Sequence, residues 1–318
     1  MAPIMIPQSL TLGTGLMNPS VFIDDDGDIL VNLRHVNYVL YHAEGRQRFP
    51  SLWGPLAYLH PENDMALRTI NYLCRLDENL SLTDWTQVEM LELHTPIWEF
   101  TGLEDARLVK WDGDYYLIGV RRDTTPNGQG RMEYSRIEID KKAWTATETN
   151  RVRIPDPKDE NAYCNKNWVP ILDLPYHMVK WTNPTEIVWA DPNEPVCNTV
   201  SITDTYFPMS DQRGSSHVLH WKNYYISITH EVNLYKNYLN QKDAVYRHRL
   251  FVWDENFTML GASEPFSFLD AQIEFCAGAA IYKGDLLISF GFVDNSAYIL
   301  KMTEDLVDEM ISEAVNAS

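Results

Sequence analysis

The sequence comprises 318 residues, of which 45% are apolar and 12% aromatic, so it can bury the core of one large domain or two small ones. Its formal net charge of −19 argues against broad nucleic-acid binding and against an anionic membrane surface, because both need a basic face. It has no apolar run long enough to span a membrane and no signal-peptide pattern at its N-terminus, so we expect a cytoplasmic protein without membrane partners.

The predicted elements begin with a hairpin pattern at 21–34, in which two apolar runs flank an acidic turn that contains Gly27. The period of two and the turn chemistry are typical of a β-hairpin. The pattern recurs at 107–121, at 168–181 with a proline in the turn, at 217–230 and at 279–291. Apolar segments that follow several hairpins supply further strands, at 71–82, 135–146, 249–260 and 297–306.

A hairpin with one or two outer strands is one blade of a β-propeller. The repeats therefore predict an all-β fold, a five-bladed β-propeller in which residues 1–318 form a single domain. The predicted blades cover approximately 17–100, 101–160, 161–210, 211–270 and 271–303. An irregular β-sandwich is the alternative interpretation of the same strands.

Two segments fall outside the repeats. Residues 42–67 contain glycine, proline and aromatic residues without a clear period, so we expect a loop over one face. Loops of this length are often functional. Residues 304–315 have helical spacing and begin with acidic residues, which predicts a short C-terminal helix.

Polar or charged residues stand directly before each predicted inner strand. In a propeller these positions converge at one mouth of the central channel. They are Asn18, Glu104 with Asp105, Lys166 with Asn167, Arg213 and Glu274. Other strands add Arg34, Arg121, His230, Glu231, Asp294, Tyr246, His248 and Arg249. The carboxylates and cations of such a ring either neutralise one another or take part in glycosyl chemistry. That chemistry needs a carboxylic acid and a second group that supplies or positions the nucleophile.

The segment GLEDAR at 102–107, preceded by NPS at 18–20, resembles the G-x-E-D-P-R signature of the β-mannoside phosphorylases, family 130 of the glycoside hydrolases. The ordered motifs KNWVP, RGSS, HEV, YRHR and SFG also resemble related propeller glycosyltransferases. The resemblance covers nearly the whole chain and implies a five-bladed propeller. Ala106 stands where the signature has proline, so the resemblance implies the fold more than the substrate.

The resemblance also implies roles for individual residues. Asp105 matches the catalytic acid, and we expect Glu104 to pair with Arg107 and so orient Asp105. The expected sugar site consists of Asn18, Arg34, Arg121, Glu231, Glu274 and Asp294. The expected phosphate site consists of Lys166, Arg213, His230, Tyr246 and Arg249. Cations retained in so acidic a chain independently favour an anionic ligand, which arginine binds well.

These observations predict an enzyme that transfers a glycosyl group with inversion and uses a phosphate-bearing donor or product, as a glycosyltransferase or a glycoside phosphorylase. Phosphate, a sugar phosphate or a nucleotide sugar would be the co-substrate, with a carbohydrate or glycosylated acceptor and no required cofactor. Nucleic acid is not an expected partner, although a modified base as acceptor and oligomerisation both stay open.

Two alternatives remain at this stage. An inverting glycoside hydrolase needs a second carboxylate roughly 6.5–9.5 Å from the acid, for which Glu231, Glu274 and Asp294 are candidates. A non-catalytic glycan-binding propeller would present aromatic surfaces in the channel.

A metal site is not expected. The four cysteines lie far apart without a C-x-x-C pair, and HEV at 230–232 has no second histidine at helical spacing. The acidic turn at 23–28 lacks the terminal glutamate of a calcium loop.

Overall fold

The computed structural model describes residues 1–41, 57–59, 66–92, 100–125, 127–203, 209, 211–236 and 242–316. The N-terminal part contains β1 (Ala2–Pro3), α1 (Gln8–Thr11), β2 (Leu16–Ile23), β3 (Ile29–Val36), β4 (Val39–Tyr41), β5 (Ala57–Leu59), β6 (Leu67–Leu76) and β7 (Leu82–Glu89). Strands β2, β3, β6 and β7 pair antiparallel in that order and form the first group. Strands β4 and β5 pair separately.

The second group follows the same plan. Its region contains β8 (Phe100–Thr101), β9 (Glu104–Trp111), β10 (Asp114–Arg121), β11 (Arg131–Asp140) and β12 (Thr145–Arg153). Strands β9 to β12 pair antiparallel in sequence order, and β8 pairs with β6. The outer strands β7 and β12 pair in parallel at Val88–Ala146 and Glu89–Thr147, which joins the first two groups edge to edge.

The third group is a four-stranded antiparallel sheet of β13 (Val169–Pro170), β14 (His177–Thr182), β15 (Thr185–Ala190) and β16 (Cys197–Thr203). The fourth contains β17 (Arg213–Gly214), β18 (Leu219–Trp221), β19 (Tyr224–Lys236), β20 (Lys242–Trp253) and β21 (Met259–Ala262). Both short strands β17 and β18 pair with β19, so together they take the place of one inner strand.

The fifth group brings the two ends of the chain together. It contains β22 (Glu274–Tyr282), β23 (Asp285–Phe292) and β24 (Ser296–Met302), and β1 pairs with β24 as its outer strand. The chain then forms α2 (Glu304–Asn316), whose Val307, Ile311 and Ala314 are buried in the apolar cluster shared by the fourth and fifth groups. The predicted C-terminal helix is confirmed, whereas α1 was not foreseen.

The all-β class is confirmed, and the ring-like succession of antiparallel groups is consistent with a propeller. Each of the five predicted hairpin segments contains an antiparallel strand pair. The blade count and the single-domain boundaries stay predictions. The predicted loop at 42–67 lies mostly outside the described residues. No helix in the described part of the chain is long and apolar enough to cross a membrane.

Apolar cores lie between neighbouring groups, as the alternation along each strand requires. Between the second and third groups, Trp111, Tyr116 and Tyr134 contact Tyr176 edge to face, with ring centroids 5.4–6.5 Å apart. This geometry suits aromatic quadrupoles and adds about 0.5–1.5 kcal/mol per pair beyond area burial.

Buried polar side chains join the inner strands of different groups. His217, just before β18, donates from Nε2 to the Leu108 carbonyl at 3.0 Å, and its Nδ1 lies 3.4 Å from the Ala279 amide nitrogen. The neutral imidazole with its hydrogen on Nε2 satisfies both groups. Burial, assisted by the nearby Arg107 charge, lowers the pKa of His217 to about 4.

This lowered pKa predicts acid sensitivity of the fold. The contribution of His217 to the free energy of unfolding is complete above about pH 6.5 and is lost as the pH falls toward 4. Between these pH values the imidazole is protonated in the unfolded chain but stays neutral in the folded one. A shift of this size corresponds to roughly 3 kcal/mol. We expect His217→Gln to be less stable than wild type at pH 7 by urea unfolding, and the deficit to shrink at pH 4.5. A constant deficit would contradict the assignment.

Candidate active site

A pocket of about 230 Å³ lies where the inner strands of several groups begin. Nine of the predicted site residues line it: Asn18, Arg34, Glu104, Asp105, Lys166, Arg213, His230, Tyr246 and Asp294. Further lining residues are Met17, Tyr38, Phe100, Asn167, Ile273 and Phe275. Apart from Asn167, these residues were not predicted, because they are apolar or aromatic and give no polar signal before a strand.

A repeated backbone feature presents the polar residues to this pocket. Asn18, Asp105 and Asn167 have φ values of +47°, +50° and +64°, the left-handed region that Asn and Asp tolerate best among residues with a side chain. The pairing register shifts around the first two, so each sits at a β-bulge that turns its side chain out of the alternation.

Close backbone approaches keep this feature in place. A Cβ atom on Gly119 would lie 2.5 Å from the Glu104 carbonyl oxygen, and one on Gly214 would lie 2.4 Å from the Asn167 carbonyl oxygen. A residue with a side chain at either position would push the polar residue away from the pocket. Glycine is therefore required opposite these two pocket residues.

Asp105 is a buried carboxylate with strong partners. Its Oδ1 accepts hydrogen bonds from Arg34 Nη1 and from Asn18 Nδ2, both at 2.7 Å. Burial alone would raise the pKa of Asp105, but the charge of Arg34, aided by Lys166, the Asn18 hydrogen bond and Arg107, holds it below its usual range. Asp105 is therefore ionised at neutral pH.

The expected pairing of Glu104 with Arg107 is wrong. Glu104 lies 3.5 Å from Arg34 and 3.7 Å from Arg122, measured between charged atoms. Arg107 is buried and points inward, where Nε and Nη2 donate to the Ser215 carbonyl at 3.1 and 2.9 Å. Arg34 is thus the cation that holds both acids, and Arg107 joins the second and fourth groups.

Asp294 differs from Asp105 in its titration. It follows β23 with φ +48° and lines the same pocket. Burial raises the pKa of Asp294 to about 6, with the Asp105 charge adding to the rise and Arg34 opposing it. Neighbouring carboxyl groups whose pKa values are driven apart are a frequent arrangement for acid–base catalysis.

The pocket is also lined by cations and aromatic rings. Lys166 is exposed, and within the described ranges it has no carboxylate within 4.0 Å. Among the described residues, Asp211 is the one carboxylate that contacts Arg213, at 3.2 Å, and the Arg213 side chain remains 42% exposed. These two cations can bind an anion without breaking a buried ion pair.

His230 does not act as a cation, contrary to expectation. Its Nδ1 is 2.8 Å from Ser215 Oγ, and its ring stacks on Tyr246 at 5.7 Å between centroids and meets Phe275 edge to face. Burial, reinforced by the nearby charges, lowers the pKa of His230 well below its ordinary value. The ring offers hydrogen bonding and a flat face to the pocket.

Arg121 and Glu274 do not line the pocket and have structural partners instead. Arg121 is buried and donates from Nε to Glu133 at 2.9 Å. The Glu274 carboxylate is fully buried and accepts three backbone N–H bonds at 2.6–2.9 Å, from Phe268, Leu269 and Ala271. The expectation that these two residues contact a sugar therefore has no support in this geometry and stays a prediction.

Glu231 and Arg249 also lie outside the pocket walls. They lie diagonally on the paired strands β19 and β20, with Arg249 Nε 3.5 Å from the Glu231 carboxylate. Arg249 donates to the Ser263 carbonyl at 2.8 Å, and Glu231 accepts from Gln212 at 2.7 Å. The two charges balance each other, so the expected roles of Arg249 in phosphate binding and Glu231 in sugar binding have no support in this geometry.

The acidic turn between β2 and β3 already holds a cation from the protein. Asp24, Asp26 and Asp28 place carboxylate oxygens within 4.8 Å of one another. The Lys141 ammonium lies among them, 2.7 Å from Asp26 and 2.9 Å from Asp28, and also contacts Asp24. This cluster is an ion-pair network that links the first two groups.

The chain is similar in structure to a β-1,2-mannobiose phosphorylase from Listeria innocua, with a TM-score of 0.57 and 13% identity over 94% of this chain and 92% of that one. For a glycosyl hydrolase from Bacteroides ovatus the TM-score is 0.56 and the identity 12%, over 92% of this chain and 85% of that one. For a mannose phosphorylase from Leishmania mexicana the TM-score is 0.52 and the identity 12%, over 94% of this chain and 86% of that one. No protein-family model and no curated protein matches the sequence.

At these identities the similarity shows a shared fold. A further similar structure comes from glycoside hydrolase family 130, with a TM-score of 0.54 and 11% identity. The motif resemblance to this family is thereby confirmed at the level of the fold.

Proposed function

We propose that this protein is a carbohydrate-active enzyme that transfers a glycosyl group with inversion and uses a phosphate-bearing donor or product. The observation that carries the proposal is one pocket that contains both a buried, ionised Asp105 and the exposed or partly exposed cations Lys166 and Arg213. In this view the five antiparallel groups are the blades of a propeller whose channel mouth is the pocket.

The structural neighbours support this class of reaction. The Listeria innocua structure is a phosphorylase in complex with β-1,2-mannobiose, and the Leishmania mexicana structure is a mannose phosphorylase in complex with a phosphate ion. A fold that holds both a sugar and phosphate in those proteins fits a pocket that contains both carboxylates and cations here.

Asp105 is assigned the proton transfer. In the synthetic direction its carboxylate accepts the proton of the acceptor hydroxyl while that oxygen attacks the anomeric carbon. In phosphorolysis it must first carry a proton, which its ligand-free environment disfavours. A phosphate bound to Lys166 would offset one of the charges that lower the pKa of Asp105, and so would favour the protonated acid.

Hydrolysis is less well supported. An inverting hydrolase needs a carboxylate that activates water, and two of the three candidates, Glu231 and Glu274, do not line the pocket. Asp294 remains, and its pKa of about 6 would suit a base near neutral pH, so hydrolysis would depend on this one candidate of the three. Glycosyl transfer and phosphorolysis need only one such group, because phosphate or an acceptor hydroxyl is the nucleophile.

A donor screen tests the proposal. Purified protein is incubated with sugar 1-phosphates and nucleotide sugars, and with disaccharides plus phosphate, while release of phosphate, nucleotide or sugar 1-phosphate is measured. Turnover that depends on a phosphate-bearing donor or on added phosphate supports transfer or phosphorolysis. Sugar release from disaccharides without phosphate would support hydrolysis, and binding without turnover would support a glycan-binding role.

The pocket cations Lys166 and Arg213 predict salt-sensitive anion binding. We expect inorganic phosphate to bind in calorimetry at low ionic strength and to bind less tightly at 0.5 M salt, where screening is strong. Arg213→Ala should weaken binding roughly two- to fivefold, since the arginine is partly exposed. Lys283→Ala is the matched control, because Lys283 is an exposed lysine that pairs with Glu78 outside the pocket. Equal losses in both variants would contradict the assignment.

A further inference from the structure

A second pocket of about 230 Å³ adjoins the first. The two pockets share Lys166, Asn167 and Arg213, so these residues form the boundary between them. The remaining walls of the second pocket come from the segment before β13, from the end of β14 and from β17: Cys164, Asn165, Trp168, Lys180, Trp181 and Gly214.

The second pocket is aromatic and almost uncharged apart from its shared boundary. Trp181 is 44% exposed, an unusual position for a side chain of that size, whereas Trp168 is buried. The Lys180 ammonium is neutralised by Asp156, with both carboxylate oxygens 2.9 Å away. Lys180 therefore belongs to the fold and adds no available charge.

The position of Trp181 beside the boundary is fixed by the backbone. Thr182 Oγ1 donates to the Gln212 carbonyl at 2.9 Å, which ties the end of β14 to the residue before Arg213. Asn165 also lines this pocket. The pocket thus places an exposed indole beside the two boundary cations.

We propose that the second pocket binds the nucleoside of a nucleotide-sugar donor, with the diphosphate across Lys166 and Arg213 and the sugar in the first pocket. This inference rests on the proposed function and narrows the donor to a nucleoside diphosphate sugar. Because Lys166 and Arg213 lie between the pockets, a ligand whose anionic group binds to them can place one chemical group in each pocket. In a nucleotide sugar the diphosphate lies between the sugar and the nucleoside, and a base stacks well on an exposed indole.

The competing occupants fit less well. A sugar 1-phosphate would leave the indole without a ligand group. An acceptor sugar is uncharged and would make no use of the boundary cations. Inversion also separates the two substrates, because the attacking oxygen and the leaving group lie on opposite faces of the sugar ring. A nucleoside beyond the diphosphate is therefore clear of the acceptor.

The transfer step balances without any further reactant. The acceptor oxygen forms a bond to the anomeric carbon as the bond from that carbon to the distal phosphate oxygen breaks. The bonding electron pair leaves with the nucleoside diphosphate, and the acceptor proton moves to the Asp105 carboxylate. Lys166 and Arg213 stabilise the charge that develops on the leaving diphosphate.

Calorimetry with anions of increasing size tests the inference. The probes are inorganic phosphate, pyrophosphate and the diphosphates of adenosine, guanosine, uridine and cytidine, each titrated at low salt. We expect at least one nucleoside diphosphate to bind more tightly than pyrophosphate, by about 5- to 150-fold if one base stacks on an aromatic ring. Trp181→Ala should remove this excess and leave the pyrophosphate affinity unchanged, whereas Trp181→Phe should retain part of it.

Trp85→Ala is the matched control, because Trp85 is also partly exposed, at 36%, and lies outside both pockets. Equal affinities for pyrophosphate and every nucleoside diphosphate would overturn the nucleoside inference while phosphate binding upholds the proposed function. An excess that survives Trp181→Ala, or that Trp85→Ala removes equally, would also overturn it. Failure of every anion to bind would overturn both proposals.

Discussion

Asp105→Asn is expected to lower the rate of glycosyl transfer by about 10²–10⁴-fold, the usual contribution of general acid–base catalysis. The amide keeps the shape of the carboxylate and can still accept the hydrogen bond from Asn18, but it cannot take up the acceptor proton. Glu104 remains near Arg34, so the guanidinium keeps an anionic partner and the fold should persist. The rate is measured with the donor that the screen identifies, and ligand affinity by calorimetry.

Glu104→Gln is the matched control for this prediction. It removes one negative charge from the same guanidinium at the same wall of the pocket, but it leaves the Asp105 carboxylate in place. We expect a small change in rate and a lower melting temperature. If Asp105→Asn retained the wild-type rate, or if both variants lost stability alone, Asp105 would be a structural ion-pair partner and the proposed mechanism would be wrong.

The strands could be predicted from the sequence because their signal is local. Period-two patterns around turn residues, with glycine in three of the five turns, identified the hairpin segments, and the acidic start and helical spacing of α2 identified the C-terminal helix. The closure of the fifth group by β1 could not be foreseen, because two residues at the N-terminus carry no periodic pattern. The parallel join of β7 with β12 depends on tertiary packing of two outer strands that lie far apart in the chain.

The sequence predicted the pocket residues whose placement depends on their position along the backbone. It did not predict those whose placement depends on hydrogen-bond and ion-pair partners. Residues just before inner strands did converge, as Asn18, Asp105 and Lys166 show. Glu274 occupies a similar sequence position, yet its carboxylate turns to the amides of the preceding loop. Nor does residue type reveal that burial keeps His230 uncharged. Charge, partners and solvent exposure are tertiary properties.

Arg34 should be the most important single residue for the stability of the pocket wall. Its side chain is only 6% exposed, it hydrogen-bonds Asp105 at 2.7 Å and it lies 3.5 Å from Glu104. Arg34→Met fills much of the volume but leaves buried carboxylates without their main cation. Breaking a buried ion pair in this way typically costs about 3–5 kcal/mol, so we expect a loss of that order in urea unfolding at pH 7.

The sign of the pH dependence distinguishes this mechanism from simple loss of packing. In wild type the lowered pKa of Asp105 stabilises the fold above pH 3.8, and that contribution is lost as the pH falls toward the folded-state value. Without Arg34, burial dominates and raises the pKa of Asp105, so the variant loses stability as the pH rises. We therefore expect the deficit of Arg34→Met to shrink between pH 7 and pH 5.

A double variant completes the test. Adding Asp105→Asn to Arg34→Met removes the unpaired negative charge. The double variant should therefore lose less free energy of unfolding than the sum of the two single variants. Arg75→Met is the control, because Arg75 and Asp84 form a comparable pair with side chains 31% and 35% exposed, where about 0–1 kcal/mol is usual. Additive losses, or a deficit for Arg34→Met as small as that of Arg75→Met, would show that the Arg34–Asp105 pair does not organise this wall.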